Sequence, residues 1–180
     1  MKRLSPALMA AAMGMSAAVS LLMLFAAGVT SIIPLSALCV FVASVMTWIP
    51  LREEHGYFFA AIEYVFVCAV AVVIARRSVY TYLYILLFGS YGIVRLFLNT
   101  RLGDKPMSVL LRLLWLNVLS AAGIAFAYFV LRLDPMVETT LPVWALILIM
   151  EAAFGAFMLF YRLAVRFFDS VLRNVLLPRR

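Results

Sequence analysis

Between Tyr57 and Leu98 the chain sets two apolar runs end to end around Arg76, Arg77 and Ser78, with one acid, Glu63, in the first and one base, Arg95, in the second. Each run is of the length, about 20 residues, that crosses a bilayer as a helix. A bare ion in hydrocarbon is expensive. At about 1.5 Å per helical residue, Glu63 lies roughly 9 Å from the start of its run and Arg95 roughly 7 Å from the end of its own. Antiparallel helices would therefore hold the two at a similar depth, where they can pair. These two runs read as the inner pair of a bundle.

Composition agrees with a membrane solvent. Apolar residues make up 67% of the 180 residues and charged residues 13%, and the mean hydropathy is +1.12, far above a typical soluble domain. The predicted fold is all-α: one integral membrane domain of six transmembrane helices, over 6–28, 31–49, 57–75, 79–98, 107–131 and 142–161, with a basic tail over 162–180. The first run follows Lys2 and Arg3 and ends in small residues, as a signal peptide does, but it exceeds the about 7 to 15 residues of a signal core and is read as a retained span. Cys39 and Cys68 fall inside apolar runs without metal or redox spacing and read as small packing residues. His55 stands alone in a polar loop with no second histidine to complete a typical metal site, so no metal or other cofactor is implied.

More polar residues lie inside the later spans. Arg112 falls about 9 Å and Asn117 about 16 Å into the fifth run, and Glu151 lies near the middle of the sixth. Glu63 and Glu151 against Arg95 and Arg112 sum to zero charge, so Glu63, Arg95, Arg112, Asn117 and Glu151 are expected to form a buried polar network. Both a stabilising role and a transport or catalytic role remain open for it. Tyr80 and Tyr82 suit an interfacial aromatic belt, whereas Tyr91 lies too deep for one and should face the interior. In the tail, Arg162, Arg166, Asp169 and Arg173 share one helical face, with Phe168, Val171, Leu172 and Val175 turned away, an amphipathic extension suited to an anionic leaflet.

Six spans put both termini on one side. Lys2, Arg3, Arg52, Arg101, Lys105 and the tail arginines collect there, against Arg76, Arg77 and Arg132 opposite. Positive charge favours the cytoplasmic face, so both termini are expected in the cytoplasm of a multi-pass protein of the bacterial cytoplasmic membrane. This asymmetry also accounts for the net charge of +7 without a soluble basic surface for nucleic acid.

Along the first run, Ala7, Ala10, Ala11, Gly14 and Ala18 recur at spacings of three and four and form a flat strip on one helix face. Such a strip lets another helix approach closely, within this chain or on a separate subunit. In size, span number and Ala7-x-x-x-Ala11 with Ala10-x-x-x-Gly14-x-x-x-Ala18, the chain resembles the substrate-binding S component of an energy-coupling factor (ECF) transporter. The stretch from Ile33-Pro34 through Phe88-Gly89-Ser90-Tyr91 to Leu116-Asn117 is also similar to uncharacterised bacterial membrane proteins of this kind.

The ECF resemblance implies that the strip docks on a transmembrane T subunit, that cytoplasmic ATPases drive the cycle, and that a small-molecule ligand binds toward the outer face. The positions it implies for the ligand are Arg77, Tyr84, Tyr91, Trp144 and Glu151. Arg76 and Arg77 would suit an anionic vitamin-like ligand, while the scarcity of outer-half polar residues tilts toward an amphipathic or lipid-like one. Two other classes stay open, a non-catalytic membrane scaffold and a small membrane enzyme using Glu63 or Glu151 as acid or base. An enzyme is not the expectation, because no nucleophile and base pair, metal cluster or phosphate loop is present in the sequence.

Overall fold

A computed structural model describes residues 6–30, 32–51, 56–75, 78–103, 105–129 and 142–176. Among them the regular structure is entirely helical: α1 (Pro6–Val29), α2 (Ile33–Met46), α3 (Trp48–Leu51), α4 (Gly56–Ile74), α5 (Val79–Leu83), a π-helical turn (Tyr84–Phe88), α6 (Tyr91–Leu102), α7 (Pro106–Phe129) and α8 (Val143–Leu176). Among the described residues, five helical stretches are long and apolar enough to cross a membrane: Met9–Val29, Tyr57–Ile74, Val79–Leu102, Pro106–Ala125 and Val143–Ser170. The protein is therefore a helical chain of multi-pass membrane type. The expected second span is shorter than predicted. α2 has 14 residues, roughly 21 Å, against a hydrocarbon core of about 30 Å, and the chain breaks at Thr47 before α3, which holds Pro50.

The chain divides into two compact units, residues 1–115 and 116–180. In the first, α1 packs on α2, α4 and α5. Ala17, Leu24 and Ala27 of α1 meet Cys39, Val40 and Ala43 of α2, Val67 and Ala71 of α4, and Tyr84. Small side chains at these crossings let the helix backbones approach closely, which is how helices associate without a hydrophobic driving force. Ser20 of α1 adds a hydrogen bond to the Ala43 carbonyl, 3.3 Å away. Pro34 sits at the start of α2, where its missing N–H costs nothing.

The expected antiparallel pair is present. The hydroxyls of Tyr57, at the start of α4, and Thr100, near the end of α6, lie 3.0 Å apart, which sets the beginning of one helix level with the end of the other. The fourth span is not one straight helix. Its middle widens into the π turn, closed by Gly89 N–H to Tyr84 carbonyl at 2.8 Å, and α6 begins at Tyr91. Gly103 ends α6 with φ +69° and ψ −167°, an extended positive-φ conformation open to glycine.

In the second unit α8 is a single helix of 34 residues. It unites the sixth expected span with the tail up to Leu176. Arg162 and Arg166 are exposed, and Tyr161 and Val165, one residue before each, are buried, as an amphipathic face requires.

Candidate functional site

Glu63 and Arg95 are level, as expected, yet they do not meet. Glu63 is 2% exposed and is turned toward α1, where its Oε1 lies 2.7 Å from Ser16 Oγ. Ser16 Oγ is also 3.1 Å from the Met13 carbonyl of its own helix. Glu63 Oε2 is buried and has no hydrogen-bond partner among the described residues. Depth was legible from residue counting, but facing direction is set by rotation about the helix axis, and that rotation points Glu63 at α1.

The bases gather around Tyr91 instead. Its ring is fully buried, with Arg112 and then Arg95 in electrostatic reach of the hydroxyl. Arg112 is 8% exposed and folds back along α7, donating from Nε to the Ser108 carbonyl and from a terminal nitrogen to Ser108 Oγ, each at 2.9 Å. Ser108 Oγ in turn donates to Asn99 Oδ1 of α6 at 3.2 Å. Buried arginines need their donors filled, and for Arg112 a serine one turn earlier serves where the sequence suggested a carboxylate.

In the second unit, Asn117 Nδ2 donates to Glu151 Oε1 at 2.6 Å. This pair, expected as part of the network, ties α7 to α8 at the depth residue counting gave. Glu63, Arg95, Arg112, Asn117 and Glu151 are thus distributed over local contacts: Glu63 with Ser16, Arg112 with Ser108 and Tyr91, and Asn117 with Glu151.

The ligand positions implied by resemblance fall in both units. Tyr84 is fully buried in the α1–α2–α4 core, its ring 6.2 Å from that of Tyr64. Tyr91 is occupied as above. Trp144 is 66% exposed and, with Glu151, belongs to the second unit. Arg77 lies outside the described residues. The first unit has instead a half-open groove of about 300 Å³ where α1 and α4 end, lined by Phe25, Gly28, Val29, Val73, Ile74 and Ser78. It is mostly apolar, and Gly28 keeps it narrow at its base, since a Cβ there would lie 3.2 Å from Ser78 Cβ.

The small-residue strip is uncovered. Ala7, Ala10, Ala11, Gly14 and Ala18 are all exposed, and a Cβ built on Gly14 would meet nothing within 4 Å. α1 uses a different face, bearing Met9, Ser16, Ala17, Ser20, Leu24 and Ala27, to pack within the unit.

Sequence reading missed three residues: Ser16, Ser108 and Tyr64, whose hydroxyl donates to the Ile85 carbonyl at the π turn. The available signal was the pair Ser16 and Ser20, one turn apart in an otherwise apolar run. Polar side chains at that spacing mark a face that meets protein. No family model matches the chain, and no curated protein or solved structure matches it either.

Proposed function

We propose that the protein is the substrate-binding subunit of an ECF-type transporter in the bacterial cytoplasmic membrane, with six spans and both termini cytoplasmic. It would import a small vitamin-like or amphipathic molecule and dock through α1 on a transmembrane T subunit driven by cytoplasmic ATPases. The observation that carries this reading is the uncovered strip Ala7, Ala10, Ala11, Gly14 and Ala18: α1 packs inside its own unit through other residues and leaves its closest-approach surface free. The apolar groove at the other end of the same helix supports an amphipathic ligand. Surrounding lipid is the remaining partner.

Gentle-detergent purification from native membranes, with mass spectrometry of what co-purifies, tests the proposal. A T subunit with its ATPases is the expected result, lost on Gly14→Leu with Ala18→Leu while the protein stays folded. Complexes that survive both substitutions reject the docking role.

The second reading is a non-catalytic membrane scaffold. It is favoured by Tyr84 and Tyr91, which fill the interior of the first unit where a ligand site would need them at a cavity wall. Recovery of the bare chain, or of an unrelated complex, would support it.

A further inference from the structure

We infer that Glu63 and Ser16 form a proton-binding site between α4 and α1, in which the carboxyl is held as the neutral acid with its proton on Oε1. The inference rests on counting hydrogens. Ser16 Oγ has two oxygens in range, Glu63 Oε1 at 2.7 Å and the Met13 carbonyl at 3.1 Å, but a hydroxyl carries one hydrogen. An ionised carboxylate can only accept, so it would compete with the Met13 carbonyl for that hydrogen. A neutral acid satisfies both contacts: Glu63 Oε1–H donates to Ser16 Oγ, and Ser16 donates to Met13.

The second oxygen agrees. Glu63 Oε2 is buried without a partner among the described residues. As the carbonyl oxygen of a neutral acid that deficit is modest, whereas on a carboxylate it would leave a charged group undersolvated in the interior. Nothing described cancels such a charge. α1 and α3 carry no ionisable residue. α4 itself carries Tyr57, Tyr64 and Cys68. The hydroxyl of Tyr57 is beside Thr100 and that of Tyr64 on Ile85. The segments from α5 to α6 carry Tyr80, Tyr82, Tyr84, Tyr91, Arg95 and Arg101, none of which reaches Glu63. Arg52, Glu53, Glu54 and His55 lie outside the described residues.

Losing the proton would leave a carboxylate that must draw in water or a cation. The site is thus a place where proton concentration acts on the contact between α1 and α4. Proton binding at Glu63 stands apart from the transporter reading, since it needs neither a T subunit nor a ligand.

Carbodiimide labelling of the purified full chain in detergent tests it, across a pH series, with the modified residue located by mass spectrometry. The reagent adds to a neutral carboxyl in apolar surroundings. The expected result is an adduct on Glu63 at neutral pH, several-fold above that on Asp169, falling as the medium becomes alkaline and unchanged when sodium replaces choline. Only the wild-type chain is needed, and Glu63→Gln, where it folds, must lose the adduct. A folded chain left unmodified at Glu63 throughout the series overturns the proposal. Protection by sodium at constant pH also overturns it, and assigns the site to an alkali cation.

Discussion

The ring of Tyr64 fills the space that a side chain at position 89 would need: a Cβ on Gly89 would lie 2.6 Å from Tyr64 Cε2. The same tyrosine donates its hydroxyl to the Ile85 carbonyl, so one side chain of α4 enters the helix where its ladder widens, a recognised cause of helix irregularity. Gly89→Ala should cost about 1–3 kcal/mol through overpacking, read as a lower unfolding midpoint in detergent. Shortening the intruder with Tyr64→Leu should make the alanine cheaper in that background, with the Tyr84 ring, 3.0 Å from the same Cβ, still to give way, because contacting positions are not additive. Additive costs would show that Tyr64 is not what excludes a side chain at 89.

Ser16→Ala removes the one hydrogen-bond partner that Glu63 has among the described residues. A buried polar group stripped of its partner costs about 1–3 kcal/mol, and the loss should appear in unfolding midpoints. Ser170→Ala, whose hydroxyl bonds within its own exposed turn, should stay within about 0.5 kcal/mol. Equal effects at the two serines would remove the special role of Ser16.

Asn117→Asp places two carboxylates 2.6 Å apart in place of a donor and an acceptor. Destabilisation of about 1–3 kcal/mol is expected, and Glu151→Gln in the same chain should recover most of it by restoring one donor. Failure of that rescue, measured as a double-mutant cycle, would mean that Asn117 and Glu151 are not coupled.

The two faces of α1 should respond oppositely to bulk. Gly14→Leu meets open space and replaces a residue that disfavours helix by about 1 kcal/mol, so stability should hold or rise. Ala17→Leu and Ala27→Leu enter a closed core and should each cost about 1–3 kcal/mol. A reversed pattern would mean that α1 is rotated about its axis.

The sequence made the spans legible because bilayer thickness translates directly into run length. Counting rises along helices put Glu63 near the level of Arg95, on the condition that their helices run antiparallel, and Asn117 near that of Glu151. What remained hidden was rotation. Glu63 at the right depth faced Ser16, and Arg112 found Ser108 on its own helix, because hydroxyls complete buried polar groups as well as opposite charges do. The shortness of α2 escaped for another reason: Thr47 and Pro50 interrupt a segment whose apolar composition runs on unbroken.

The π turn at Tyr84–Phe88 has a consequence for how this chain can change. It accommodates one residue more than a regular helix would at that place, and one residue is about 100° of rotation about the axis. Straightening the turn into regular helix at constant length would therefore swing Tyr91 and Arg95 through that angle, whereas deleting one residue between Tyr84 and Phe88 would remove the surplus and leave both facing as they do. On straightening, Tyr91 would leave Arg112 while every residue before the turn kept its place. The set of side chains that face α7 is thus held by the width of a single turn as much as by residue identity, and a change in that width would rewrite it without altering any of those side chains.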